Sequence, residues 1–460
     1  MPVLRATRGA IGSWLDRVAL AHPARMALGG FAAVILAAAG LLELPFATQS
    51  GERAPYIDAL FVSTSATTVT GLVTVDTGAY WSGFGQAVIL VAIKIGGLGI
   101  MTMASLLGLA VSRRLGLTTR ILAADESKSG GLGDVLTMLR TIFFVSTGVE
   151  ATIAAILFWR HLEHGVAVGR AAWHSVFYSV SAFNNAGFQP DPGGIVPYAE
   201  DGVFRMAIAA ALLLGALGFP VYFNLMRHWR HPRKWSLHTK LTVATITVVQ
   251  LVSIALLALF EWGNPDTLGA SHGWTKVWQT LFVSVNQRHG GFAGLDHGKM
   301  YEHTWLLEDV LMFIGAGSGG TAGGIRVTTL AVLLLAIWAE ARGRRDIEAF
   351  GKRIGTEVLR LAVAVTLVSL FFVLVGSAVV LAQTVDQGFT LGQVVFEISS
   401  GFATVGLSTG ITPYLPTDAK VTVTLIMYIG RVGSLTVVAA LALNRQRRVI
   451  RYPSERPLIG

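Results

Sequence analysis

The stretch FVSTSATTVTGLV, at 61–73, decides the fold, because three further segments share its pattern. Aligned on one glycine, they read FYSVSAFNNAGFQ at 177–189, LFVSVNQRHGGFA at 281–293 and FEISSGFATVGLS at 396–408. Each begins with Phe or Leu ten residues before the glycine and carries a hydroxyl six or seven residues before it. The glycines recur at intervals of roughly 116, 104 and 115 residues, and a fixed period with a fixed signature indicates repeated structural units. The positions of the signature are Phe61, Phe177, Leu281 and Phe396, followed by the hydroxyls of Thr64 and Ser65, Ser181, Ser284, and Ser399 and Ser400.

Eight apolar stretches surround these segments, and each is long enough to cross a membrane, which takes about 20 residues. Hydrophobic residues make up 53% of the 460 and charged residues only 14%, whereas a soluble protein has about 25% charged residues. The sequence therefore predicts an all-α membrane protein with eight transmembrane helices. The predicted spans lie at approximately 25–43, 82–111, 137–159, 203–226, 241–261, 305–337, 358–384 and 420–444.

The net charge of +9 is concentrated in the segments that follow every second span. By the positive-inside rule these segments are cytoplasmic, which places both chain termini in the cytoplasm as well. No soluble basic face remains, so nucleic-acid binding is not expected. The N-terminus lacks a small-residue cleavage site and is not a signal peptide. The basic residues concerned are Arg113, Arg114, Arg120 and Lys128; Arg227, Arg230, Arg233, Lys234 and Lys240; Arg342, Arg344, Arg345, Lys352 and Arg353; and Arg445, Arg447, Arg448 and Arg451.

The four glycine segments lie between the spans of each pair, and they are too short to span and too apolar for solvated loops. Irregular backbone at membrane depth is tolerated only inside protein or along a watery cavity, so we predict re-entrant loops. A ring of carbonyl oxygens can replace the water around a monovalent cation, and glycine permits the required backbone excursion. One such glycine alone would indicate a tight turn or a helix contact, but four in register favour a selectivity filter. The predicted carbonyl ligands belong to Val69, Thr70, Gly71, Asn185, Ala186, Gly187, His289, Gly290, Gly291, Thr404, Val405 and Gly406.

The predicted architecture is four helix–re-entrant pore loop–helix repeats around one central pore. The N-terminal segment at 1–24 and the C-terminal tail at 445–460 are cytoplasmic. The pore repeats occupy 25–111, 112–226, 227–337 and 338–444, and the third contains a broken helix.

Four motifs resemble the Trk/Ktr/HKT superfamily of potassium transporters, most of all its bacterial Ktr-type membrane subunit. They are STSATTVTGLVTVDT at 63–77, SAFNNAGF at 181–188, GSGGTAGGIRVTT at 317–329 and IGRVGSLT at 429–436. The resemblance covers roughly 25–445. Trk-type subunits with extra N-terminal spans fit less well. The match at Gly71 is to potassium-selective members, since relatives that admit sodium more freely carry serine there.

The resemblance implies channel-like potassium uptake across the bacterial cytoplasmic membrane, with K⁺ at the filter carbonyls and Na⁺ as a candidate activator. It implies a homodimer on a cytoplasmic ring of nucleotide-binding subunits of the regulator of potassium conductance type. ATP and ADP would bind that ring and switch the gate, and no cofactor is covalently bound to this chain. The basic loops at 227–240 and 342–353 are either docking surfaces or topology determinants beside membrane lipid. Residues after Asn444 could contribute to the dimer or to docking.

The third loop departs from the family pattern. Relatives usually read Thr-Arg-Thr-Ala-Gly, whereas this chain reads Gln-Arg-His-Gly-Gly from 287 to 291. The matches at Arg288 and Gly291 lead us to expect that the loop geometry survives. The ring of His289 either packs behind the loop or alters selectivity and the pH dependence of flux.

The sixth span has six glycines between 315 and 324, and each costs about 1 kcal/mol relative to alanine in a helix. We therefore predict that this span is broken. The resemblance implies that the break is a gate loop beneath the filter, contacted by Arg431, although Arg431 could instead pair with a buried acid. Lys94 could be a second pore charge or could reach an interface. The predicted gate residues are Gly315, Gly317, Ser318, Gly319, Gly320, Thr321, Gly323, Gly324 and Arg431.

A secondary transporter and an enzyme are the two alternatives to a channel. A sodium-coupled potassium secondary transporter is the alternative, but its broken helices would come in pairs, and the sequence indicates only one broken span. An enzyme is not expected, because no clustered acids, His-Glu-x-x-His motif or Ser/His/Asp set falls within the spans.

Overall fold

The computed structural model of the chain describes residues 23–114 and 132–433, with side chains at 28–103 and 139–433. The predictions that lie outside these ranges, wholly or in part, concern the N-terminal segment at 1–24, the basic loop with Arg120 and Lys128, the end of the eighth span and the tail at 445–460. The helices are α1 (Pro23–Leu42), α2 (Tyr56–Thr68), α3 (Gly83–Arg114), α4 (Leu132–Glu163), α5 (Val168–Phe183), α6 (Gly202–Leu217), α7 (Phe219–His228), α8 (Leu237–Glu261), α9 (Gly273–His289), α10 (Glu302–Ile314), α11 (Val327–Ala341), α12 (Thr356–Gln383), α13 (Leu391–Ala403) and α14 (Thr417–Tyr428).

The order of these helices recurs four times along the chain. In each unit a longer first helix is followed by a shorter helix that ends at one of the glycine loops, and a third helix comes after the loop. Each shorter helix packs against the helix that directly follows the glycine loop of the preceding unit: α5 against α3, α9 against α6, α13 against α10, and α2 against α14 of the fourth unit. The four units therefore form a closed circle with the glycine loops at its centre.

By length and composition, four helices of the described part could each cross a membrane, namely α3, α4, α8 and α12. The bent pair α6 and α7 raises the number to five if it counts as one span. Large apolar side chains such as Leu251, Leu259 and Phe371 are exposed on these helices, as expected for contact with lipid. The count of eight spans stays a prediction.

Within residues 23–114 and 132–433 two helices are interrupted, although the sequence indicated only one break. The predicted break is present, because α10 ends at Ile314 and α11 begins at Val327. The second lies at Gly218, where α6 and α7 meet at 97°, so the prediction of one unbroken span at 203–226 was wrong. Gly218 has a φ of 85°, which is left-handed, and Pro220 cannot donate a helical hydrogen bond. The composition stays apolar across the bend, so hydropathy alone could not reveal it.

A short hairpin interrupts the otherwise helical architecture, which the all-α prediction did not include. Strands β1 (Ile347–Ala349) and β2 (Lys352–Ile354) pair antiparallel in the basic segment before α12. The two turn residues, Phe350 and Gly351, both have positive φ, as tight two-residue hairpin turns require.

Candidate functional site

The aligned glycines, Gly71, Gly187, Gly291 and Gly406, meet at the centre of the molecule and touch in chain order. A β-carbon built on Gly71 would lie 2.4 Å from the Ala186 carbonyl oxygen, and one on Gly187 would lie 2.7 Å from the α-carbon of Gly291. The remaining two contacts close the circle. A β-carbon on Gly291 would lie 2.4 Å from the carbonyl oxygen of residue 405, and one on Gly406 would lie 2.1 Å from that of residue 70. A side chain at any of the four positions would force the neighbouring backbone to move, since real β-carbons do not approach backbone this closely.

The carboxyl ends of four helices point at this ring, because α2, α5, α9 and α13 all end within four residues of its glycines. A helix carries about half a negative charge at its C-terminus, spread over the carbonyls that lack partners within the helix. Four such ends converging on one point make the ring attractive to a cation and repellent to an anion.

The first, second and fourth glycine loops, which contain Gly71, Gly187 and Gly406, begin with the same backbone conformation at the end of the preceding helix. Val69, Asn185 and Thr404 have φ values of 58°, 59° and 51°, in the left-handed region that non-glycine residues seldom adopt. In each loop the next N–H donates back to the carbonyl five residues earlier, as in the common C-terminal helix cap. The N···O distances of these hydrogen bonds are 2.7 Å in the first loop, 2.8 Å in the second and 2.9 Å in the fourth.

The predicted hydroxyls brace these three loops. Ser65 accepts from the N–H of Gly71 at 2.9 Å, and Ser400 accepts from that of Gly406 at 3.0 Å. Ser181 donates instead to the carbonyl of Phe188, at 2.8 Å. The sequence signature therefore marks residues that hold the loop shape in three units.

The third loop is built differently, and two predicted correspondences were wrong there. Leu281 is only half-buried, whereas Phe282 is fully buried in the place taken by phenylalanine elsewhere. Ser284 bonds to Gln250 of the neighbouring helix α8, and the loop is braced by Asn286, which bonds both the N–H and the carbonyl of Phe292. The buried phenylalanine, Phe282, and the side chain that braces the loop, Asn286, thus each lie one residue closer to the glycine than their counterparts in the other loops.

A cavity of about 440 Å³ opens above the ring, on the side formed by the residues that follow the glycines. Its wall includes Asp76, Asp191, Asp296 and His297. Burial alone would raise the pKa of Asp191, but contacts with His174 and the Tyr178 hydroxyl hold this pKa below its usual value. Burial would lower the pKa of His297, but the Glu308 carboxylate raises it above its usual value. Asp191 is therefore ionised at neutral pH and contributes negative charge at the mouth.

The predicted gate loop lies against the residues that precede the ring. A β-carbon on Gly323 would lie 2.4 Å from Thr404 Oγ1 and 2.5 Å from the Ala403 carbonyl. Thr321 Oγ1 donates to Asn185 Oδ1, so the loop also reaches the second ring segment. The loop is further tied to the bend between α6 and α7, since the Gly317 N–H donates to the Ala216 carbonyl at 2.9 Å.

Two of the predicted charges have defined surroundings. Arg431 is buried, and its Nη1 donates to Thr404 Oγ1 at 3.3 Å; Nε and Nη2 have no hydrogen-bond partner in the described ranges. Its ion-pair alternative is not supported, because no acid contacts it among the described residues. Lys94 lies 2.6 Å from Glu150 Oε2, which matches neither of its two predicted roles.

Several buried carboxylates hold the loops in place and were not predicted from the sequence. Glu397 accepts hydrogen bonds from Ser408, Thr409 and Thr412 on the chain beyond the fourth loop. Glu150 accepts from Asn184 at the end of α5, at 3.0 Å. The signal for both was available, since a charged residue inside an apolar segment needs a partner.

These features define a helical membrane protein in which four glycine loops meet at a centre suited to a cation. The sequence profile of the family described as "TrkH: Cation transport protein" matches residues 33–451. The chain belongs to this family of cation transport proteins, and the resemblance to the Trk/Ktr group is confirmed.

Two relatives and one solved structure illustrate the match. The chain is 38% identical to the "Ktr system potassium uptake protein B" of Bacillus subtilis, over 95% of this chain and 96% of that protein. It is 33% identical to the "Potassium/sodium uptake protein NtpJ" of Enterococcus hirae, over 95% and 97%. The crystal structure of the potassium transporter TrkH from Vibrio parahaemolyticus has a TM-score of 0.68 at 18% identity, covering 91% of this chain and 85% of that one. The TrkH-like fold is therefore shared.

Proposed function

We propose that this chain conducts potassium ions through a single central pore. The observation that carries the proposal is the closed circle of four glycines, each pressed against the backbone of the next loop. The ion would be bound by the carbonyls of Val69–Gly71, Asn185–Gly187, His289–Gly291 and Thr404–Gly406. Potassium is favoured as the ion because the relatives described above are named as potassium or potassium/sodium uptake proteins.

The electrostatics around the ring support cation passage by two independent features. Four helix C-termini supply partial negative charge at the ring, and the aspartates of the cavity concentrate cations at its mouth. Neutral carbonyls then take the place of the hydration water without trapping the ion as a carboxylate would.

The loop from Gly315 to Gly324 is the proposed gate. It presses on the residues below the ring, so the ion path can open only if this loop moves. Arg431 contributes a buried positive charge beneath Thr404, which opposes cation passage while the gate is closed. We further propose that the chain forms a homodimer in the bacterial cytoplasmic membrane with both termini cytoplasmic. A cytoplasmic ring that binds ATP or ADP would move the gate, with Na⁺ as an activator.

One observation favours the alternative, a sodium-coupled potassium transporter. The structure contains two interrupted helices that touch, at Gly218 and at the gate loop, and broken helices in pairs are common in secondary transporters. Both occupy the third position of their units, however, rather than mirrored positions. A fixed sodium-to-potassium stoichiometry in flux measurements would favour this alternative.

The test is potassium flux into proteoliposomes containing the wild type, Gly406→Ser or Arg431→Ala, with sodium as competitor. We expect saturable potassium flux in the wild type, a reduced flux that discriminates less against sodium in Gly406→Ser, and faster flux in Arg431→Ala. An absence of cation flux, even with a regulatory ring supplied, would overturn the proposal.

A further inference from the structure

We propose that His161, His174 and Asp191 form a binding site for a zinc-type divalent cation beside the pore mouth. His161 is near the end of α4, His174 is within α5, and Asp191 follows the second glycine loop. One potential ligand atom from each of the three lies within 4.8 Å of the others. A single ion can engage all three after a small side-chain adjustment.

The hydrogen bonds of His161 leave one ring nitrogen free to bind a metal. Its Nδ1 lies 2.8 Å from the Leu157 carbonyl oxygen, which can only accept, so Nδ1 carries the ring proton and the Ser175 hydroxyl oxygen, 2.9 Å away, accepts as well. Nε2 is then an unprotonated nitrogen, and it has no hydrogen-bond partner in the described part of the chain. His161 is completely buried, so bulk water does not reach this nitrogen. A histidine that donates one N–H to a backbone carbonyl and offers the other nitrogen is the usual arrangement of a metal ligand.

The second imidazole and the carboxylate are also close but not well paired. His174 Nδ1 lies 2.9 Å from Asp191 Oδ1, yet the geometry of the contact is not that of a hydrogen bond. Asp191 Oδ2 is oriented by the Tyr178 hydroxyl at 3.1 Å. Arg170 approaches Asp191 only to 3.8 Å and is largely exposed, so it can move away when an ion arrives.

The donor set selects the class of ion. Two imidazole nitrogens and one carboxylate oxygen leave a fourth position for water, which suits tetrahedral Zn²⁺. Imidazole is a poor ligand for K⁺, Mg²⁺ and Ca²⁺, which prefer oxygen ligands. His174 lines a cavity of about 470 Å³ together with Gln49, Gln86 and Arg170, which provides a route for the ion.

The position of the site gives it a consequence for transport, and this part rests on the proposed function. Asp191 also lines the cavity above the four glycines. A bound Zn²⁺ would change the charge at Asp191 from −1 to +1, which makes the mouth less negative and so lowers the local potassium concentration. External zinc should therefore slow potassium uptake, and less so at high ionic strength because salt screens the added charge.

Binding is tested directly on the purified full-length protein, carrying an affinity tag without histidine. We expect one Zn²⁺ or Co²⁺ per chain, with tetrahedral Co²⁺ absorption and imidazole scattering in zinc X-ray absorption spectra. His161→Gln, His174→Gln and Asp191→Asn should each weaken zinc binding at least about tenfold, since loss of even an outer-shell partner costs about 10- to 100-fold. His303→Gln, an exposed histidine outside the cluster, is the matched control and should bind like the wild type.

The Co²⁺ absorption and zinc X-ray absorption spectra of the wild type identify the ligands without any variant, so they test the site even if a variant fails to fold. All-oxygen coordination of the metal, no stoichiometric binding, or equal affinity in the wild type and the folded cluster variants would overturn the proposed site. In proteoliposomes, zinc inhibition should be reversed by a chelator, absent with Mg²⁺, and lost in His161→Gln, which does not line the cavity above the ring. Stoichiometric binding without inhibition would retain the site and reject its effect on flux, and binding without any potassium flux would reject the proposed function alone.

Discussion

The third glycine loop and the fourth reach the same ring by different routes. In the fourth, Thr404 turns left-handed at once and Ser400 holds the glycine N–H. In the third, the helix continues through His289, and Gly290 keeps a right-handed conformation with φ −100°. The Gly290 N–H still bonds to the carbonyl four residues earlier, at 2.8 Å. The two loops therefore differ in where the helix ends and in which side chain braces the loop, but in both the glycine contacts the backbone of a neighbouring loop.

This difference follows from the spacing of residues in the third segment. The buried Phe282 stands nine residues before Gly291, whereas Phe396 stands ten before Gly406. The shorter spacing removes the residue that would have made the left-handed turn. The asparagine side chain is longer than that of serine, so Asn286 can reach past Gly291 to the backbone of Phe292. Gly291 therefore makes the same kind of contact as the other ring glycines, whereas the residues before it follow a different course. The expectation that this loop keeps the geometry of its relatives stays a prediction.

The largest predicted effect tests the feature that both loops share. Gly406→Ala would place a β-carbon 2.1 Å from the carbonyl oxygen of residue 70, and relieving such overlap costs about 1–3 kcal/mol or more. We expect potassium flux to fall by about tenfold to more than a hundredfold. Measurements of flux and of thermal unfolding in detergent would separate loss of function from loss of folding.

Gly410→Ala is the matched control for this substitution. Gly410 has a φ of 94°, close to the 89° of Gly406, but nothing lies within 4 Å of an added β-carbon. Both substitutions put a side chain on backbone with a similar positive φ, whereas only Gly406 contacts the next loop. Equal flux in the two variants would show that the close approach of the loops is unimportant.

A smaller effect is expected from the braces, where the third loop differs from the fourth. Asn286→Ala removes two hydrogen bonds to Phe292 and leaves a buried N–H unpaired, which costs about 1–3 kcal/mol. Ser400→Ala removes one bond to the glycine N–H. We expect Asn286→Ala to lower thermal stability and potassium flux more than Ser400→Ala does. Asn286→Asp keeps the acceptor for the Phe292 N–H but turns a second oxygen toward the Phe292 carbonyl, so it should not restore the wild-type values. A larger loss in Ser400→Ala than in Asn286→Ala would contradict the assignment of Asn286 as the brace.

Sequence analysis predicted those features that depend on local chemistry repeated at a fixed distance. The positions of the glycines, the shorter helices before them and the break at 315–324 follow from composition and period alone, and each shorter helix ends just before its glycine. Aligning the four segments on their glycines misplaces the earlier residues of the third segment, because its spacing is one residue shorter. A shift of one residue toward the glycine would have matched Phe282 and Asn286 to their counterparts.

Features that depend on contacts between distant segments could not be predicted in this way. The bend at Gly218 is stabilised by the gate loop, about a hundred residues later, through bonds such as that from the Phe219 N–H to the Gly319 carbonyl. The pairing of Lys94 with Glu150 likewise joins two helices. Each partner was visible in the sequence, but the pairing was not.

The smallest predicted effect concerns His289, the residue by which the third loop departs most from its relatives. Its ring is buried behind the loop, and Nδ1 lies 3.1 Å from Asn185 Nδ2. An amide NH₂ group can only donate, so Nδ1 accepts this bond and helps to hold the second loop. Asn185 also donates to the Leu212 carbonyl at 3.1 Å, so it stays partly fixed without the histidine. A single buried hydrogen bond contributes about 1 kcal/mol, or about fivefold in an equilibrium.

We therefore expect His289→Ala to keep most of the potassium flux and to lower the preference for potassium over sodium by about two- to fivefold. His289→Asn is the matched variant, because its side-chain oxygen can accept the bond from Asn185 in place of Nδ1. Rubidium uptake with sodium as competitor measures the preference in both. If His289→Asn keeps the wild-type preference and His289→Ala does not, the bond between the second and third loops contributes to selectivity. If both lose it equally, the volume of the imidazole ring, and not its hydrogen bond, supports the second loop.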